Sequence, residues 1–560
     1  MLTRSDLVRR FTAEGPFELA EDNSVGYPLK VYRHAPPSLR AVLESTRQFD
    51  ARPFLVYGDE EISYRQHFAK VAALAHFLRR AGVNKGDRVA IGMRNYPEWL
   101  VSFWAVQAIG GIAVAINAWW TAHEIAFALN DSTPAALLID GERADRMASS
   151  IGAMDLKAIV VARSASSSFG TEFADVTAGD ADLLPDATIE PSDPATILYT
   201  SGTTGNPKGA VATQRNHVTN LMNTLLAGAV ARGLLGDFST PAPTESPQMV
   251  VLQTFPFFHI GGLTGLLVGT AIGSKMVLMY KWDAREAVDL IAKHKVMTVS
   301  GVPTVVRQML EAARASGADI SSLLGIAAGG ASVPPDLIRK IGTQFAQATS
   351  PTNGYGLTET TSAIVTNSGA EYFAHPDSVG RPVATAEVRI VDDEGRTLGD
   401  DKIGELWIRG ANVVTGYWKN PSATEAAFGG GWFRTGDLGY RDADGLHYVV
   451  DRKKDVIIRG GENVYCAEVE ASLLEHDLVR DAAVIGLPDA EYGEQVVAIV
   501  QVADVARAGA LAQELRDFLA PKLARFKIPS SIRLTEEDLP RTATGKILKR
   551  QLRDSFAASK

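Results

Sequence analysis

The feature that most constrains the fold of this chain is a run of glycines and hydroxyls at residues 200–209, Thr-Ser-Gly-Thr-Thr-Gly-Asn-Pro-Lys-Gly. It follows an apolar stretch, 195–199, which predicts a buried strand. The three glycines allow positive φ and a close approach of the backbone to a ligand. Four hydroxyls and the positive charge of Lys208 are groups that bind anions. The run therefore predicts a loop that binds phosphate at the end of a strand.

This loop differs from the Walker A motif of nucleotide-binding proteins, in which Gly-Lys precedes Ser or Thr. Here Lys208 follows Pro207 and precedes Gly209. A glycine-rich loop can also be a simple turn from strand to helix, but such a turn does not require four hydroxyls and a lysine. The residues predicted to bind phosphate are Thr200, Ser201, Gly202, Thr203, Thr204, Gly205 and Lys208.

The composition of the whole chain limits the classes of protein to which it can belong. Its 560 residues are 46% hydrophobic and 22% charged, as in ordinary soluble globular proteins with several domains. A net charge of -9 argues against nucleic acid as the main partner, because phosphate backbones require a basic surface. Cys466 is the only cysteine, which excludes an internal disulfide and a cysteine-rich metal site. Any anion that the protein binds must be held by local groups.

No transmembrane segment is predicted. The first residues lack an apolar stretch long enough for a secretory signal. The stretch 250–274 is long and uncharged, but Pro256, His259 and five glycines interrupt it. A buried strand, a loop and a helix explain it better. Together with the single cysteine, these features predict a cytoplasmic protein.

The order of predicted elements divides the chain into an α/β part, a β-rich part and a C-terminal unit. Strands and helices alternate from about residue 62 to 345, which predicts parallel sheets covered on both faces. From 379 to 450 the apolar period changes to two, as in a small antiparallel barrel. After Asp451 the chain has the pattern of a separate unit of about a hundred residues. The predicted boundaries are 1–450, a hinge at 451–454, and 455–560.

Some apolar runs also predict the bounds of individual elements. Runs at 88–92, 482–485 and 496–502 predict strands. The pattern of residues 215–231 predicts a helix after the glycine-rich loop.

Six further stretches combine glycines and hydroxyls with aromatic and charged residues. They are Phe255-Pro-Phe-Phe-His259-Ile-Gly-Gly, Gly329-Gly-Ala-Ser332, Asn353-Gly-Tyr-Gly-Leu-Thr-Glu-Thr360, Gly431-Trp-Phe-Arg-Thr-Gly-Asp437, Asp451-Arg-Lys-Lys-Asp455 with Arg459-Gly-Gly-Glu-Asn463, and Pro540-Arg-Thr-Ala-Thr-Gly-Lys546. In this order and spacing, together with the glycine-rich loop, they resemble the adenylate-forming superfamily, especially the fatty acyl and aryl acyl-CoA synthetases. The resemblance covers most of the chain, from about residue 62 to 553.

The resemblance implies both a fold and a reaction. The fold would be α/β, with a large N-terminal domain of two stacked α/β subdomains and a small β-barrel, followed by a small, mobile α+β C-terminal domain. The reaction would use ATP and Mg²⁺ to join a small-molecule carboxylic acid to AMP and release pyrophosphate. The acyl group would then pass to the thiol of coenzyme A. The resemblance is compatible with a homodimer, although the sequence does not fix the oligomeric state.

The chemistry of this reaction explains the charged residues of the motifs. A carboxylate that attacks the α-phosphate of ATP brings two anions together, which requires positive charge where negative charge develops. By resemblance, Lys546 reaches the reacting groups from the C-terminal domain. In the family pattern Glu359 holds Mg²⁺, with Thr358 beside it and the Thr200 hydroxyl near the phosphates. Outside this context Lys546 would be a solvated lysine and Glu359 a helix cap.

The same resemblance implies a nucleotide site. Tyr355 would stack on adenine, and the backbone of residues 329–332 would form the opposite wall. Asp437 would accept hydrogen bonds from the ribose hydroxyls, although a lone aspartate there would more often belong to a turn. Arg452 would bind the same sugar or the phosphate. The residues implied beyond the first loop are Gly330, Ala331, Ser332, Asn353, Gly354, Tyr355, Gly356, Asp437 and Arg452.

The second half-reaction requires a thiol where pyrophosphate was bound, and in the family the C-terminal domain rotates between the two steps. Lys454 occupies the family's hinge position. After rotation, Gly460 and Gly461 would line the pantetheine channel, with Glu462 nearby. Cys466 stands where fatty acyl members usually have proline, which predicts a local change in stiffness and unchanged chemistry.

The acyl site is predicted around His259, which lies where the family has a residue at the entrance of the acyl pocket. We expect this histidine to position groups rather than to transfer protons. The small residues expected to line the pocket are Gly261, Gly262, Gly265 and Gly301. A deep apolar slot would favour a medium-chain, long-chain or bulky ring-bearing acid over acetate. The stretch 255–259 lacks the aspartate of amino-acid-activating domains, which argues against an amino acid.

Two other functions remain open from the sequence. One is a ligase that passes the acyl adenylate to a carrier protein, although no inserted block follows the hinge. The other is a nucleotide-binding regulatory protein of the same fold that has lost turnover. The presence of Lys546, Glu359, Asp437 and Arg452 argues against the second.

Overall fold

The computed structural model describes residues 2–152, 154–164, 170–179, 181–200, 207–238, 247–344, 349–505, 508–542 and 545–558. The α-helices are α1 (Arg4–Ala13), α2 (Leu39–Ser45), α3 (Tyr64–Arg80), α4 (Pro97–Ala108), α5 (Ala122–Ser132), α6 (Gly141–Ile151), α7 (Phe173–Val176), α8 (Gln214–Leu234), α9 (Ile260–Ala271), α10 (Ala284–His294), α11 (Pro303–Ser316), α12 (Pro335–Gln344), α13 (Gly369–Ala374), α14 (Pro421–Ala427), α15 (Cys466–Leu474), α16 (Ala508–Leu519) and α17 (Lys549–Ala558). Short 3₁₀ turns span Gly15–Phe17, Thr46–Phe49, Thr358–Thr360 and Arg525–Lys527.

The β-strands are β1 (Leu19–Asp22), β2 (Leu29–Tyr32), β3 (Pro53–Tyr57), β4 (Glu60–Ser63), β5 (Arg88–Gly92), β6 (Ile112–Ala115), β7 (Ala136–Asp140), β8 (Ala158–Ala162), β9 (Thr171–Glu172), β10 (Pro194–Thr200), β11 (Lys208–Thr213), β12 (Val250–Gln253), β13 (Lys275–Leu278), β14 (Thr298–Gly301), β15 (Gly325–Gly329), β16 (Ser350–Leu357), β17 (Ser362–Ser368), β18 (Arg381–Pro382), β19 (Ala386–Val391), β20 (Gly404–Gly410), β21 (Phe428–Gly429), β22 (Trp432–Arg441), β23 (His447–Arg452), β24 (Ile457–Arg459), β25 (Glu462–Val464), β26 (Val479–Asp489), β27 (Gly493–Val502) and β28 (Ser531–Thr535). Strands β1 and β2 form a separate two-stranded sheet.

Local sequence explains where several helices begin. At the start of α3 the Ser63 hydroxyl accepts a hydrogen bond from the Gln66 N–H, and the Gln66 side chain accepts one from the Ser63 N–H. This reciprocal capping satisfies two backbone donors that the helix itself leaves without partners. Proline occupies the first turn of α4 and α11, where its missing N–H is not required. These local signals help to explain why the alternation of strands and helices can be predicted from the sequence.

The first large sheet has the strand order β11-β10-β6-β5-β7-β8-β9. The pairs from β10 to β9 are parallel, whereas β11 runs antiparallel to β10 at the edge. Parallel strands end at the same edge of a sheet, and ligands bind in the crevice outside those ends. The glycine-rich loop leaves β10 at this edge. The sequence analysis did not predict strand β11. In the structure the loop joins two antiparallel strands, β10 and β11, and α8 follows β11.

The second large sheet has the order β18-β17-β16-β15-β14-β12-β13-β3-β4, parallel from β16 to β3. One hydrophobic core includes buried residues of both large sheets, such as Ile91 of β5 and Met276 of β13. Trp99 and Trp104 of α4 are among the largest fully buried side chains. The shared core stacks the two α/β subdomains against each other, which confirms the predicted fold class.

A third sheet follows, antiparallel and five-stranded, with the order β19-β20-β22-β21 and with β23 beside β22. It corresponds to the portion predicted as a small barrel. The uncharged stretch 250–274 contains β12, a loop and α9, as predicted. Among the described residues, no helix is long and apolar enough to cross a membrane.

The C-terminal domain is built on the sheet β25-β24-β27-β26, with β28 parallel to β27. It has its own core, in which Cys466 is fully buried and its thiol donates to the Asp455 carbonyl. Among the described residues, two arginines connect this domain to helices of the N-terminal domain. Arg307 of α11 donates to the Arg480 carbonyl over 2.8 Å, and Arg339 of α12 lies 3.7 Å from Glu475.

Candidate active site

The glycine-rich loop begins at Thr200 and ends at Lys208, which are paired across β10 and β11. The Thr200 hydroxyl donates to the Lys208 carbonyl over 3.4 Å. The Lys208 ammonium group lies 5.2 Å from the centre of the Tyr417 ring, a cation–π contact. The predicted loop residues Ser201, Gly202, Thr203, Thr204 and Gly205 lie outside the described part of the chain. The structure therefore places a hydroxyl and a cation at the two ends of this loop.

Glu359 lies in the 3₁₀ turn that follows β16, with Thr358 beside it. It is buried, with 8% of its surface exposed, and its Oε1 accepts a hydrogen bond from the Tyr417 hydroxyl over 2.7 Å. Burial and the adjacent carboxylate of Glu359 raise the pKa of Tyr417, which keeps the hydroxyl protonated as a donor. Tyr417 thus lies between the predicted metal carboxylate and the lysine of the phosphate loop.

The donor set around Glu359 fits Mg²⁺ better than a soft metal. Among the described residues, no cluster of three or more His, Cys, Asp or Glu side chains could hold a metal ion. Mg²⁺ is commonly bound by one or two carboxylates together with water and substrate phosphates, and does not require a cage of protein ligands. A single buried carboxylate next to a phosphate loop meets that requirement.

The sequence analysis did not identify Tyr417 as a site residue. Its partner Glu359 is 58 positions away, so no local pattern connects the two residues. The only local signal is the stretch Gly416-Tyr417-Trp418-Lys419, a combination of glycine, aromatic rings and charge that resembles the quoted motifs.

The predicted ribose ligand and the predicted adenine partner lie in direct contact. The Tyr355 hydroxyl on β16 donates to Oδ2 of Asp437 on β22 over 2.7 Å. Arg452 of β23 is paired with Asp437 in the strand register, and its Nε lies 3.3 Å from Oδ1. Asp437 is 4% exposed, and burial raises its pKa despite the nearby Arg452 charge. The contact holds the Asp437 carboxylate at the edge of the crevice.

The other predicted wall residues lie at the ends of β15 and β16, which are parallel neighbours. Gly330 follows β15 with φ +77°, a conformation that favours glycine, and Ala331 and Ser332 after it are exposed. Asn353 is buried and Gly354 lies opposite Gly329 in the register. The remaining member of this stretch is Gly356 of β16.

Gly356 is the position of this wall at which a side chain is excluded most clearly. A Cβ atom there would lie 1.9 Å from the Ser362 carbonyl oxygen of β17. The two strands approach this closely directly before the turn that carries Glu359.

Lys546, a residue of the C-terminal domain, lies close to the site residues of the N-terminal domain. It is partly buried, and it forms no ion pair among the described residues. Its pKa is lowered to about 8, chiefly by burial and then by the Arg452 charge, while Asp437 and Glu359 act in the opposite direction. The hairpin that carries Lys546 packs on α11, since a Cβ atom on Gly545 would lie 2.7 Å from Val302 Cγ2. The lysine therefore lies among the predicted nucleotide and metal residues of the N-terminal domain.

His259 caps the N-terminus of α9. Its Nδ1 accepts a hydrogen bond from the Gly261 N–H over 3.2 Å, and its ring stacks on Phe255 at 6.1 Å between centroids. Burial lowers the pKa of His259 to about 3, and the Lys546 charge acts in the same direction. A neutral imidazole with Nδ1 as acceptor carries its proton on Nε2. His259 is therefore suited to orient groups, as expected, and not to exchange protons near neutral pH.

The predicted acyl-pocket glycines do not leave open space where their side chains would be. A Cβ atom on Gly262 would lie 2.0 Å from the Pro256 carbonyl oxygen, and one on Gly265 would lie 2.7 Å from Gln253 Oε1. At Gly301 it would meet Val305 at 2.5 Å. Only Gly261 has ordinary contact distances, 3.4 Å to the His259 and Phe255 rings. These glycines therefore do not support the prediction of a deep acyl pocket, because backbone atoms and neighbouring side chains occupy the space beside them.

The predicted hinge and coenzyme A residues lie at the surface. Lys454 is exposed and lies two residues after the end of β23. Gly460 and Gly461 form the turn between β24 and β25, with φ of +60° and +87°, and Glu462 beside them is exposed. Among the contacts of the described residues, none joins this turn to Lys546. The orientation of the C-terminal domain is therefore the one in which the lysine, and not the glycine turn, enters the crevice.

A crevice at the carboxyl ends of parallel strands, with a lysine of the C-terminal domain near the buried Asp437, is the arrangement that the resemblance to adenylate-forming enzymes predicts. Residues 42–418 match the AMP-binding enzyme family, and residues 468–546 match the C-terminal domain of AMP-binding enzymes. The chain belongs to the AMP-binding enzyme family, which confirms the resemblance identified in the sequence.

Individual relatives agree with this placement. The chain is 34% identical over 508 residues to a feruloyl-CoA synthase of Amycolatopsis sp, covering 89% of this chain and 95% of that protein. It is 31% identical over 549 residues to a long-chain-fatty-acid–CoA ligase of Bacillus subtilis, covering 92% and 94%. Among solved structures, o-succinylbenzoate-CoA synthetase of Bacillus subtilis in complex with its acyl-adenylate intermediate gives a TM-score of 0.77 at 31% identity, covering 93% and 98%.

Proposed function

We propose that this protein is an ATP-dependent acyl-CoA synthetase, an AMP-forming acid–thiol ligase. The observation that carries the proposal is the position of Lys546, a cation of the C-terminal domain that lies beside Asp437 and Glu359 of the N-terminal domain. A cation that is partly buried and not neutralised by an ion pair among the described residues is suited to stabilise two anions as they react. Relatives named as CoA ligases support thiol transfer as the second step.

In the first half-reaction a carboxylate oxygen of the acid attacks the α-phosphorus of ATP, and the bond to pyrophosphate breaks. Lys546 stabilises the negative charge of the carboxylate and the α-phosphate as they approach. Asp437 and Arg452 orient the nucleotide through its ribose, and Lys208 neutralises the outer phosphates. Glu359 would hold Mg²⁺ together with phosphate oxygens, and the ion would supply positive charge for the pyrophosphate that leaves.

In the second half-reaction the sulfur of coenzyme A attacks the acyl carbon, and AMP leaves with the electron pair of the broken bond. The exposed turn at Gly460 and Gly461 lacks side chains, so a pantetheine arm can approach its backbone closely after rotation at Lys454. Removal of the Lys546 hairpin from the crevice makes room for the thiol. A domain rotation of this kind also explains how one site can serve two reactions.

The acid that we propose is a medium-chain or long-chain fatty acid or a bulky acid with a ring. The apolar composition of α9, which His259 caps, supports an apolar acyl group. The names of the relatives include an aromatic acid and a long-chain fatty acid, so both types belong in the first test.

Release of pyrophosphate from ATP and Mg²⁺ in the presence of a panel of acids tests the proposal. The panel runs from acetate through octanoate and dodecanoate to ferulate and larger ring-bearing acids. We expect at least one long or ring-bearing acid to yield AMP, and addition of coenzyme A to convert the acyl adenylate to a thioester. Failure of every acid to yield AMP would contradict the proposal, and an adenylate that persists with coenzyme A would favour the carrier-protein ligase.

Lys546→Ala tests the role of the lysine. We expect a loss of about 100-fold to 1000-fold in adenylate formation, because a preorganised charge at the reacting groups is removed. Binding of ATP, measured by isothermal titration calorimetry, should change little, since other groups hold the nucleotide. Lys402, which is exposed, gives a matched control in Lys402→Ala with unchanged activity. Undiminished pyrophosphate release by Lys546→Ala would show that the lysine does not act in this step.

A further inference from the structure

The loop that carries Lys546 is a short hairpin closed by its own backbone. The Thr542 N–H donates to the Lys546 carbonyl over 2.8 Å, and the Lys546 N–H donates to the Thr542 hydroxyl over 3.1 Å. Arg541 and Ile547 form an isolated antiparallel bridge at the base. Gly545, with φ +81°, adopts a conformation that favours glycine. These contacts fix the shape of the hairpin, but not its direction relative to the domain that bears it.

The guanidinium group of Arg541 fixes the direction of the hairpin relative to the C-terminal domain. Its Nη1 donates to the carbonyl of Gly545, the residue directly before Lys546. Its Nη2 is paired with the carboxylate of Asp481 on β26, and the two side chains are only 22% and 15% exposed. The other oxygen of Asp481 accepts a hydrogen bond from the Ala482 N–H over 3.0 Å. One planar side chain therefore ties Gly545 to β26, which forms the longest strand ladder of the C-terminal sheet.

The same place on β26 touches the N-terminal domain. The carbonyl of Arg480, next to Asp481, accepts the hydrogen bond from Arg307. Gly545 in turn packs against Val302 at the beginning of the same helix, α11. The hairpin and β26 thus both contact α11. Arg541 connects the hairpin to β26.

We propose that Arg541 is a positioning residue for adenylate formation, which holds the Lys546 hairpin against Asp481 so that the ammonium group enters the crevice. The proposal rests on the proposed function of Lys546. Arginine suits the task because its planar fork donates to two acceptors in a fixed geometry, whereas a lysine provides a single point charge. Because Lys546 leaves the crevice before the thiol attacks, the second half-reaction does not require this constraint.

Separate assays of the two half-reactions test the proposal. Adenylate formation is followed as pyrophosphate release with dodecanoic acid and with ferulic acid, together with whichever acid of the panel the unaltered protein uses best. Thioester formation is followed with coenzyme A and the chemically prepared adenylate of the same acid. For Arg541→Ala we expect adenylate formation to fall about 100-fold, the cost typical of a displacement of about 1 Å at reacting groups. Thioester formation should stay within about twofold of the original rate.

Three further variants separate positioning from general structural support. Arg541→Lys should form adenylate faster than Arg541→Ala but more slowly than the unaltered protein. Asp481→Asn should lose about tenfold in adenylate formation, because the contact between Arg541 and residue 481 is weakened. In the double variant Arg541→Ala with Asp481→Asn, the losses should not add, because both changes break one connection. Arg550, which is exposed on α17, gives a matched control in Arg550→Ala with both half-reactions unchanged.

The outcomes distinguish this inference from the function on which it rests. Unaltered protein that forms no AMP with any acid overturns the proposed function. If the unaltered protein is active, equal losses of both half-reactions in Arg541→Ala, or no loss in either, overturn the positioning role. A selective loss of adenylate formation, with melting temperatures of all variants within a few degrees, supports it.

Discussion

At the scale of single residues, the site is organised by hydroxyl and guanidinium groups that hold the charged residues of the motifs. Tyr355 fixes Asp437, and Tyr417 fixes Glu359, each over 2.7 Å. A charge-assisted hydrogen bond of this kind is stronger than a neutral one, so each carboxylate is held before the nucleotide arrives. Lys546 forms no ion pair within the described part of the chain, and its pKa is lowered to about 8, so its charge should respond to pH just above neutrality.

The pH dependence of adenylate formation should report the pKa of Lys546. Burial and the Arg452 charge lower this pKa from the ordinary value to about 8 in the free protein. Because the charged form is required, and because it is lost as the pH rises through the pKa, kcat/KM for adenylate formation should fall tenfold per pH unit above about pH 8. His259, with a pKa of about 3, should add no step between pH 5 and 8.

Pyrophosphate release measured from pH 6 to 10 checks this expectation. Lys546→Arg keeps the charge over the whole range, so its profile should be flat at a lower level. Thioester formation from the prepared adenylate serves as the internal control, because Lys546 is withdrawn in that step. A profile of the unaltered protein that stays level to pH 10 would contradict the assignment of the alkaline limb to Lys546.

At the scale of elements, strand bounds were predictable where an apolar run fills most of the strand. The run at 88–92 predicts β5 with the bounds that the structure has. The runs at 482–485 and 496–502 predict only the apolar parts of β26 and β27, which extend to 479–489 and 493–502. The extra residues include charged residues, glycines and a proline that interrupt the apolar runs, and they join the strands because a long antiparallel ladder pairs their backbones.

The site residues of the motifs were predictable, whereas their partners were not. Charged residues that follow a glycine in a predicted turn, such as Lys546 and Asp437, can be recognised from the local sequence. Tyr417 and Arg541 act through residues distant in sequence, at separations of 58 and 60 positions. The packing around Gly262 also depends on neighbours that only the folded chain brings together. Sequence therefore predicted which charged groups lie near one another in the crevice, but not which groups hold them.

The close approach of β16 and β17 gives a prediction for Gly356. A methyl group at this position would lie 1.9 Å from the Ser362 carbonyl oxygen, a backbone atom that cannot move without separating the strands. We expect Gly356→Ala to lower the free energy of unfolding by about 2 kcal/mol or more, as overpacking does elsewhere. It should also weaken ATP binding, because the strain lies between Tyr355 and Glu359.

Urea unfolding and ATP titration of the purified variant measure both effects. Gly399, which has no neighbouring atom within 4 Å of an added Cβ, gives a matched control in Gly399→Ala. Equal stability of the two variants would contradict the argument from strand packing.

At the scale of the whole molecule, the two domains are held in the orientation that suits adenylate formation by few contacts. Arg307 and Arg339 provide the polar ones that the described residues show, and the Arg339 contact at 3.7 Å joins side chains that are 59% and 39% exposed. Exposed ion pairs of this kind stabilise little. A lightly held interface is consistent with the proposed rotation of the C-terminal domain between the two half-reactions. Arg307, whose hydrogen bond at 2.8 Å goes to a backbone carbonyl, is the stronger of the two contacts.

Arg307→Ala should therefore change the balance between the two half-reactions without touching a substrate. Loss of one hydrogen bond to a charged donor should lower the population of the adenylate-forming orientation, and with it the rate of adenylate formation, about fivefold. Thioester formation from the prepared adenylate should be equal or faster, because the domain leaves the first orientation more easily. Arg314→Ala on the same helix, at an exposed position, should leave both rates unchanged. A fall of both rates by the same factor would indicate damage to α11 instead of a shift between orientations.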